Sequence, residues 1–202
     1  ELEAGDFVWT APKLLHYEAN DGIGLERLAD SAVLSSGPKP YSAVYEVELE
    51  AAGTIRSLRL ETLTDPSFQR AEWLSREYGG FVLTDIEVVV DGKEVKIAGA
   101  KADYQQGGFP IEFAYDDNEK TGWAVAGRPA MDRLSARFDF AEPLELGDTP
   151  KTLRVVLRHE SIYSQHHIGK FRVGVSDRED APLDAPDALP AEVAEALRIA
   201  EE

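Results

Sequence analysis

The chain has no cysteine and a single methionine in 202 residues. Without a thiol there is no disulfide, no Cys nucleophile, no Cys-ligated zinc, no iron–sulfur cluster and no covalently attached c-type haem. Positive charge is also scarce. Against 38 Asp and Glu there are 21 Lys and Arg, a formal charge of −17, which repels phosphate backbones and anionic headgroups instead of releasing their counterions. Neither nucleic acid nor a membrane surface is expected as a partner. No stretch approaches the roughly 18 consecutive apolar residues of a spanning helix. The chain opens at Glu1 without Met, basic segment or apolar core of a signal peptide, so it reads as an excised piece of a longer protein. A Gly-x-Ser-x-Gly elbow, a His-Glu-x-x-His pair, a Walker loop and a Rossmann fingerprint are all missing, and no enzyme activity is expected. A carboxylate pair such as Glu160 and Asp103 can be drawn by chance alone among so many acids.

What is present is period-two alternation. Tyr41, Ala43, Tyr45, Val47 and Leu49 share one face of the stretch ending at Glu50, and Ile55 to Glu61 follows after Gly53. Phe81 to Val90 is a further strand, and Asp91-Gly92 predicts a two-residue hairpin into Glu94 to Ile97. Gly122 to Ala126, Leu134 to Phe140, Thr152 to Arg158 and Gly169 to Ser176 complete the set. About eight strands with short turns predict an all-β fold, two antiparallel sheets face to face as a sandwich or jelly roll. The composition shifts at Asp180 to Asp187, rich in Pro and Asp. The expected organisation is a β-sandwich binding domain over 1–179, then over 180–202 a linker and the start of a short C-terminal helix marked by Pro190, Val193 and Leu197.

Two long connections, Thr62 to Gly80 and Lys101 to Thr121, interrupt the strands, and function usually sits on such loops. The first carries Phe68, Trp73 and Tyr78 beside Arg70, Arg76 and Glu77. Apolar sugar faces stack on aromatic rings while planar charged groups hold hydroxyls, so Trp73, Tyr78, Arg70, Arg76 and Glu77 form a candidate carbohydrate platform, with Tyr163 at the same end of the sandwich. The alternative is that the rings anchor the loop on the core. The second connection ends in Asp116-Asp117-Asn118-Glu119-Lys120-Thr121. Asp116, Asn118 and Thr121 supply the hard oxygens that Ca²⁺ prefers, although Lys120 and Thr121 break the EF-hand pattern. An Asx-rich turn is the plain reading of the same residues. His159, His166 and His167 form a His-rich stretch that could be read as transition-metal ligands or acid/base groups, but their spacing matches no zinc motif.

At these residues the chain resembles a known set. Ala114-Tyr115-Asp116-Asp117-Asn118 to Thr121-Gly122-Trp123 is similar to a turn of discoidin-like, galactose-binding-type jelly rolls, departing at Asp117 where Gly is usual. Arg59-Leu60-Glu61, Gly79 to Ile86, Ala102 to Phe109 and His166 to Arg172 follow the order found in the sandwich domain of cytochrome c-containing multidomain proteins of planctomycetes and their relatives. The resemblance implies a non-catalytic module of an exported protein, at the periplasm or cell surface, with haem-bearing neighbouring domains. Its implied task is to hold polysaccharide or oligosaccharide, with a structural Ca²⁺ at Asp116, Asn118 and Thr121. The other reading is a structural domain that orients its neighbours and has no ligand of its own.

Overall fold

The computed structural model describes residues 8–129, 131–185 and 187. Its strands, numbered along the chain, form two large antiparallel sheets. The five-stranded sheet has the order β1 (Lys13–Ala19), β4 (Ala43–Ala51), β12 (Lys151–His159), β7 (Asp85–Val90) and β8 (Lys93–Glu94). The six-stranded sheet runs β2 (Gly24–Arg27), β3 (Val33–Ser36), β13 (Lys170–Ser176), β5 (Thr54–Leu63), β11 (Arg133–Glu145) and β9 (Ile97–Ala102). A small ribbon pairs β10 (Trp123–Ala124) with β6 (Val82–Leu83). The result is the antiparallel β-sandwich of jelly-roll type that the alternation predicts. Among the described residues no helix is long and apolar enough to cross a membrane. The short C-terminal helix expected after Pro190 lies outside the described residues.

The faces follow the pleat. Along β4 the buried residues are Ala43, Tyr45, Val47, Leu49 and Ala51, and opposite them β11 turns Leu134, Ala136, Phe138 and Phe140 into the same core. Burial of such paired apolar faces is the main stabilising term, about 1.5–3 kcal/mol for each fully buried large side chain. Asp91 and Gly92 both have positive φ, 51° and 72°, and Val90 pairs Lys93 across them, which is the two-residue hairpin geometry of this dipeptide. Tyr41, expected on the inner face of its strand, precedes β4 and is exposed.

The outer face of the six-stranded sheet departs from the alternation pattern. Ser57, Arg59 and Glu61 of β5 are buried as deeply as the core residues between them. The cover comes from both ends of the chain. Thr10 pairs with Val175, Trp9 bridges Asp187, and the Trp9 indole N–H donates to the Pro182 carbonyl at 2.7 Å. Ala181 and Leu183 are buried, and Arg137 donates to the Ala181 carbonyl at 2.8 Å. The Pro- and Asp-rich stretch, a linker by composition, is thus seated on the sheet as far as Asp187.

Candidate functional site

Four loops meet at one end of the sandwich. Residues 64–81 leave β5 and are fastened by Asp65, whose carboxylate accepts from Ser67 N at 3.0 Å and Oγ at 2.7 Å and pairs with Lys170 at 3.3 Å. Phe68 and Leu74 are buried beneath the loop, and Gly169 is there because a Cβ at that position would lie 2.4 Å from the Phe68 ring. Gly169 N–H donates to Leu74 O, and Val82 N–H to His166 O, both at 2.9 Å. These bonds join residues 64–81 to residues 160–169.

The junction lines up four rings. Tyr78 stacks on His166 with centroids 4.4 Å apart and planes within 3°. Tyr163 meets His166 at 6.2 Å and 67°, and Phe109 meets Tyr163 at 5.9 Å and 67°. Tyr78 and Tyr163 are 39% and 46% exposed, and Tyr41 and Ile162 extend the exposed apolar surface, tied by a bond from the Tyr41 hydroxyl to Ile162 O at 2.7 Å. His166 Nδ1 lies 3.0 Å from the Ser164 carbonyl. A carbonyl only accepts, so Nδ1 is the donor of this bond and Nε2 is turned away from it.

The expected residues therefore divide. Tyr78 and Tyr163, far apart in sequence, are brought to one aromatic row. Trp73 is half-buried, its ring 5.6 Å from the Arg70 guanidinium, and Arg70 also pairs with Glu72 at 2.6 Å. Arg76 donates to the main-chain carbonyls of Gly37 at 2.5 Å and Pro38 at 3.2 Å, and burial lowers its pKa. Glu77 is paired with Lys39. Arg76 and Glu77 thus clamp residues 37–39 against the loop that presents Tyr78. His166 and Phe109 were not singled out as ring partners, since nothing local announces a contact between loops remote in sequence.

Around Asp116 the turn is closed by its own polar groups. Thr121 Oγ1 lies 2.9 and 2.8 Å from the two Asp116 carboxylate oxygens and 2.8 Å from the Asn118 carbonyl oxygen. Asn118 N–H donates to Asp116 at 3.0 Å, while the Asn118 side-chain oxygen caps Lys120 N–H at 3.2 Å. A carboxylate, a hydroxyl and a carbonyl therefore converge, a hard-oxygen set of the type Ca²⁺ takes. Asn118 contributes its main chain to that centre and its side chain to the turn.

Beside this turn a cleft of about 410 Å³ opens over the paired strands β7 and β12, lined by Asp85, Glu87, Asp117, Glu119, Arg158 and Glu160 among others. Arg158 holds Glu87 at 2.7 Å and lies 3.8 Å from Asp85 and 3.7 Å from Glu160. Burial, together with the Glu87 charge, pushes the Asp85 carboxyl up to about 7, against the lowering effect of Arg158. The folded protein then binds more protons than the unfolded chain between the ordinary carboxyl pKa of ~3.9 and about 7, so this group's contribution to stability falls as pH rises through that window. Asp85→Asn is expected to raise stability by about 1–2 kcal/mol at pH 8 and to change it little at pH 4, as read by urea denaturation at the two pH values. Glu160 and Asp103 are not brought together. Glu160 follows β12 in the five-stranded sheet, whereas Asp103 follows β9 and accepts from Ser135 N–H at 2.9 Å.

His159 and His167 bond to the main chain. His159 Nε2 accepts the Ile168 N–H at 3.3 Å, and His167 Nε2 lies 3.3 Å from the Tyr41 carbonyl. Burial lowers the pKa of both, His159 the further. Among the described residues no group of three or more His, Cys, Asp or Glu side chains is arranged to hold a metal ion. Comparison of the chain with protein-family models, with curated proteins and with solved structures finds no match in any of the three.

Proposed function

We propose that this domain is a non-catalytic carbohydrate-binding module that holds a polysaccharide on the aromatic row of Tyr78, His166 and Tyr163. The observation that carries the reading is the pair of exposed tyrosine rings flanking His166, the Tyr78 loop being anchored by buried Phe68 and Leu74 and by the Arg76 and Lys39–Glu77 clamp. Sugar faces stack on the rings, and the phenol hydroxyls with His166 Nε2 meet the sugar hydroxyls. Trp73 and Arg70 lie in the same loop and would extend the contact along the chain. In this reading Ca²⁺ at Asp116, Thr121 and the Asn118 carbonyl stiffens the neighbouring turn and takes no part in contact with sugar. The same reading takes the domain to be part of an exported protein whose neighbours bear haem, as the sequence resemblance implies.

The test is native affinity electrophoresis on neutral and acidic polysaccharides, each run with Ca²⁺ and with chelator. The domain is expected to be retarded on at least one polymer. The Tyr78→Ala, Tyr163→Ala double variant should lose at least about tenfold in affinity with unchanged thermal stability, since stacking on each ring contributes about 0.5–1.5 kcal/mol beyond area burial. Free migration on every polymer would instead support a domain that only orients its neighbours.

A further inference from the structure

We infer that the Tyr78–Tyr163 platform selects a neutral, single glycan chain of three-fold twist, and rejects flat two-fold ribbons and crystalline faces. This rests on the carbohydrate reading above and adds the class of chain. Because the Tyr78 plane lies within 3° of His166 and the Tyr163 plane stands 67° from it, the two tyrosine rings are steeply inclined to one another. His166 covers one face of Tyr78, so sugar reaches that ring only from the opposite side.

A pyranose lies flat on the ring that binds it, so each ring sets the plane of one sugar residue. In a two-fold chain successive residues differ by half a turn and all their faces are parallel. Such a chain can cover Tyr78 or Tyr163, but not both. A crystalline surface is a stack of the same parallel faces and meets the same obstacle. In a three-fold chain successive residues differ by a third of a turn, so the faces of neighbours, and equally of next-but-one residues, are inclined by about 60°. That inclination is close to the one between the tyrosine rings, which their angles of 3° and 67° to His166 fix to within 3° of 67°. The match holds whether the two rings take adjacent or alternate residues.

The charge beside the rings is compensated. Glu77 is paired with Lys39, and Arg76 is directed at the Gly37 and Pro38 carbonyls. Neither leaves a cation for a uronate, and the chain as a whole carries −17. An uncharged chain therefore avoids the electrostatic cost that an acidic polymer of the same twist would meet.

The experiment is isothermal titration of the full chain with xylohexaose, a neutral chain of three-fold twist, and with cellohexaose, a two-fold one, together with a depletion assay on microcrystalline cellulose. Xylohexaose is expected to bind at least about tenfold more tightly than cellohexaose, and the crystals to leave the protein in solution. Tyr78→Ala and Tyr163→Ala, each alone, should remove the preference, because one ring no longer senses the relative inclination of two residues. Cellohexaose binding as well as xylohexaose, depletion by the crystals, or retention by some other polymer with xylohexaose unbound would each overturn the three-fold assignment and leave the carbohydrate reading standing. Failure to be retained by any polymer would overturn both.

Discussion

Glu61→Gln is expected to cost about 3–5 kcal/mol of folding stability, the range found when one partner of a buried ion pair is removed. Glu61 is fully buried at 0% exposure, yet its carboxylate serves three guanidinium groups: Arg172 at 2.7 Å, Arg133 at 3.3 Å and Arg59 at 3.4 Å. The Gln side chain keeps the volume but removes the charge and turns an amide N–H₂ towards donors. Arg59, itself only 1% exposed, would be left with Asp187 and with carbonyls of the covering segment. Burial already lowers the pKa of Arg59, and the Glu61 and Asp187 charges oppose that. Urea denaturation reads the loss as a lower midpoint at unchanged slope. Glu61→Leu combined with Arg59→Met should recover part of it, because it removes both fully buried charges together and leaves Arg172 and Arg133, which reach solvent. A loss below about 1 kcal/mol for Glu61→Gln would show that water reaches these groups.

Trp9→Ala is the second large effect, expected at about 3–5 kcal/mol for truncation of a buried tryptophan. Trp9 is fully buried, its ring centroid lies 4.8 Å from the Arg59 guanidinium carbon, and its indole N–H is bonded to Pro182 O. The substitution therefore removes ring packing, a cation–π contact and the link between the first described residues and Pro182. Since both sites act on Arg59, their effects should not add. A double-mutant cycle of Trp9→Ala with Glu61→Gln is expected to give a coupling of about 1 kcal/mol or more. Limited proteolysis should also cut within 177–187 faster in Trp9→Ala than in the parent. Additive losses with unchanged cleavage would mean that the two terminal segments cover the sheet independently.

The strands legible in the sequence were those with a long, regular alternation and two neighbours. β4, β5, β12 and β13 match their expected stretches to within two residues, β11 runs five residues past Phe140, and the stretch Phe81 to Val90 is divided at Thr84 into β6 and β7. β1, β2 and β3 did not stand out, because β1 and β2 are edge strands with few buried positions and β2 and β3 span four residues each. β9, reading Ile97-Ala98-Gly99-Ala100-Lys101-Ala102, has side chains too small to mark a pattern and is held by its pairing with β11. In the candidate site, residue type alone pointed to Tyr78 and Tyr163. It did not reveal that His166 stands between them, that Arg76 and Glu77 are engaged with residues 37–39, or that Asp85 and Glu87 line a cleft beside the Asp116 turn.

The amino-acid sequence by itself determined the all-β class, the inward faces of the long strands, the Asp91-Gly92 hairpin and the absence of thiol chemistry, because each follows from residue identity or from a period of two read over a few positions. Only the tertiary structure decided what lies on the second face of a strand and which loops touch. Arg59 and Glu61 alternate with Leu58 and Leu60 just as solvent-facing charges do. They are buried because Trp9 and residues 181–185 and 187, remote along the chain, close over them. Tyr78 and Tyr163 come to flank His166 for the same reason: the main-chain bonds that bring their loops together join Leu74 to Gly169 and His166 to Val82. Local periodicity carries no information about contacts at that sequence separation, and packing supplies it.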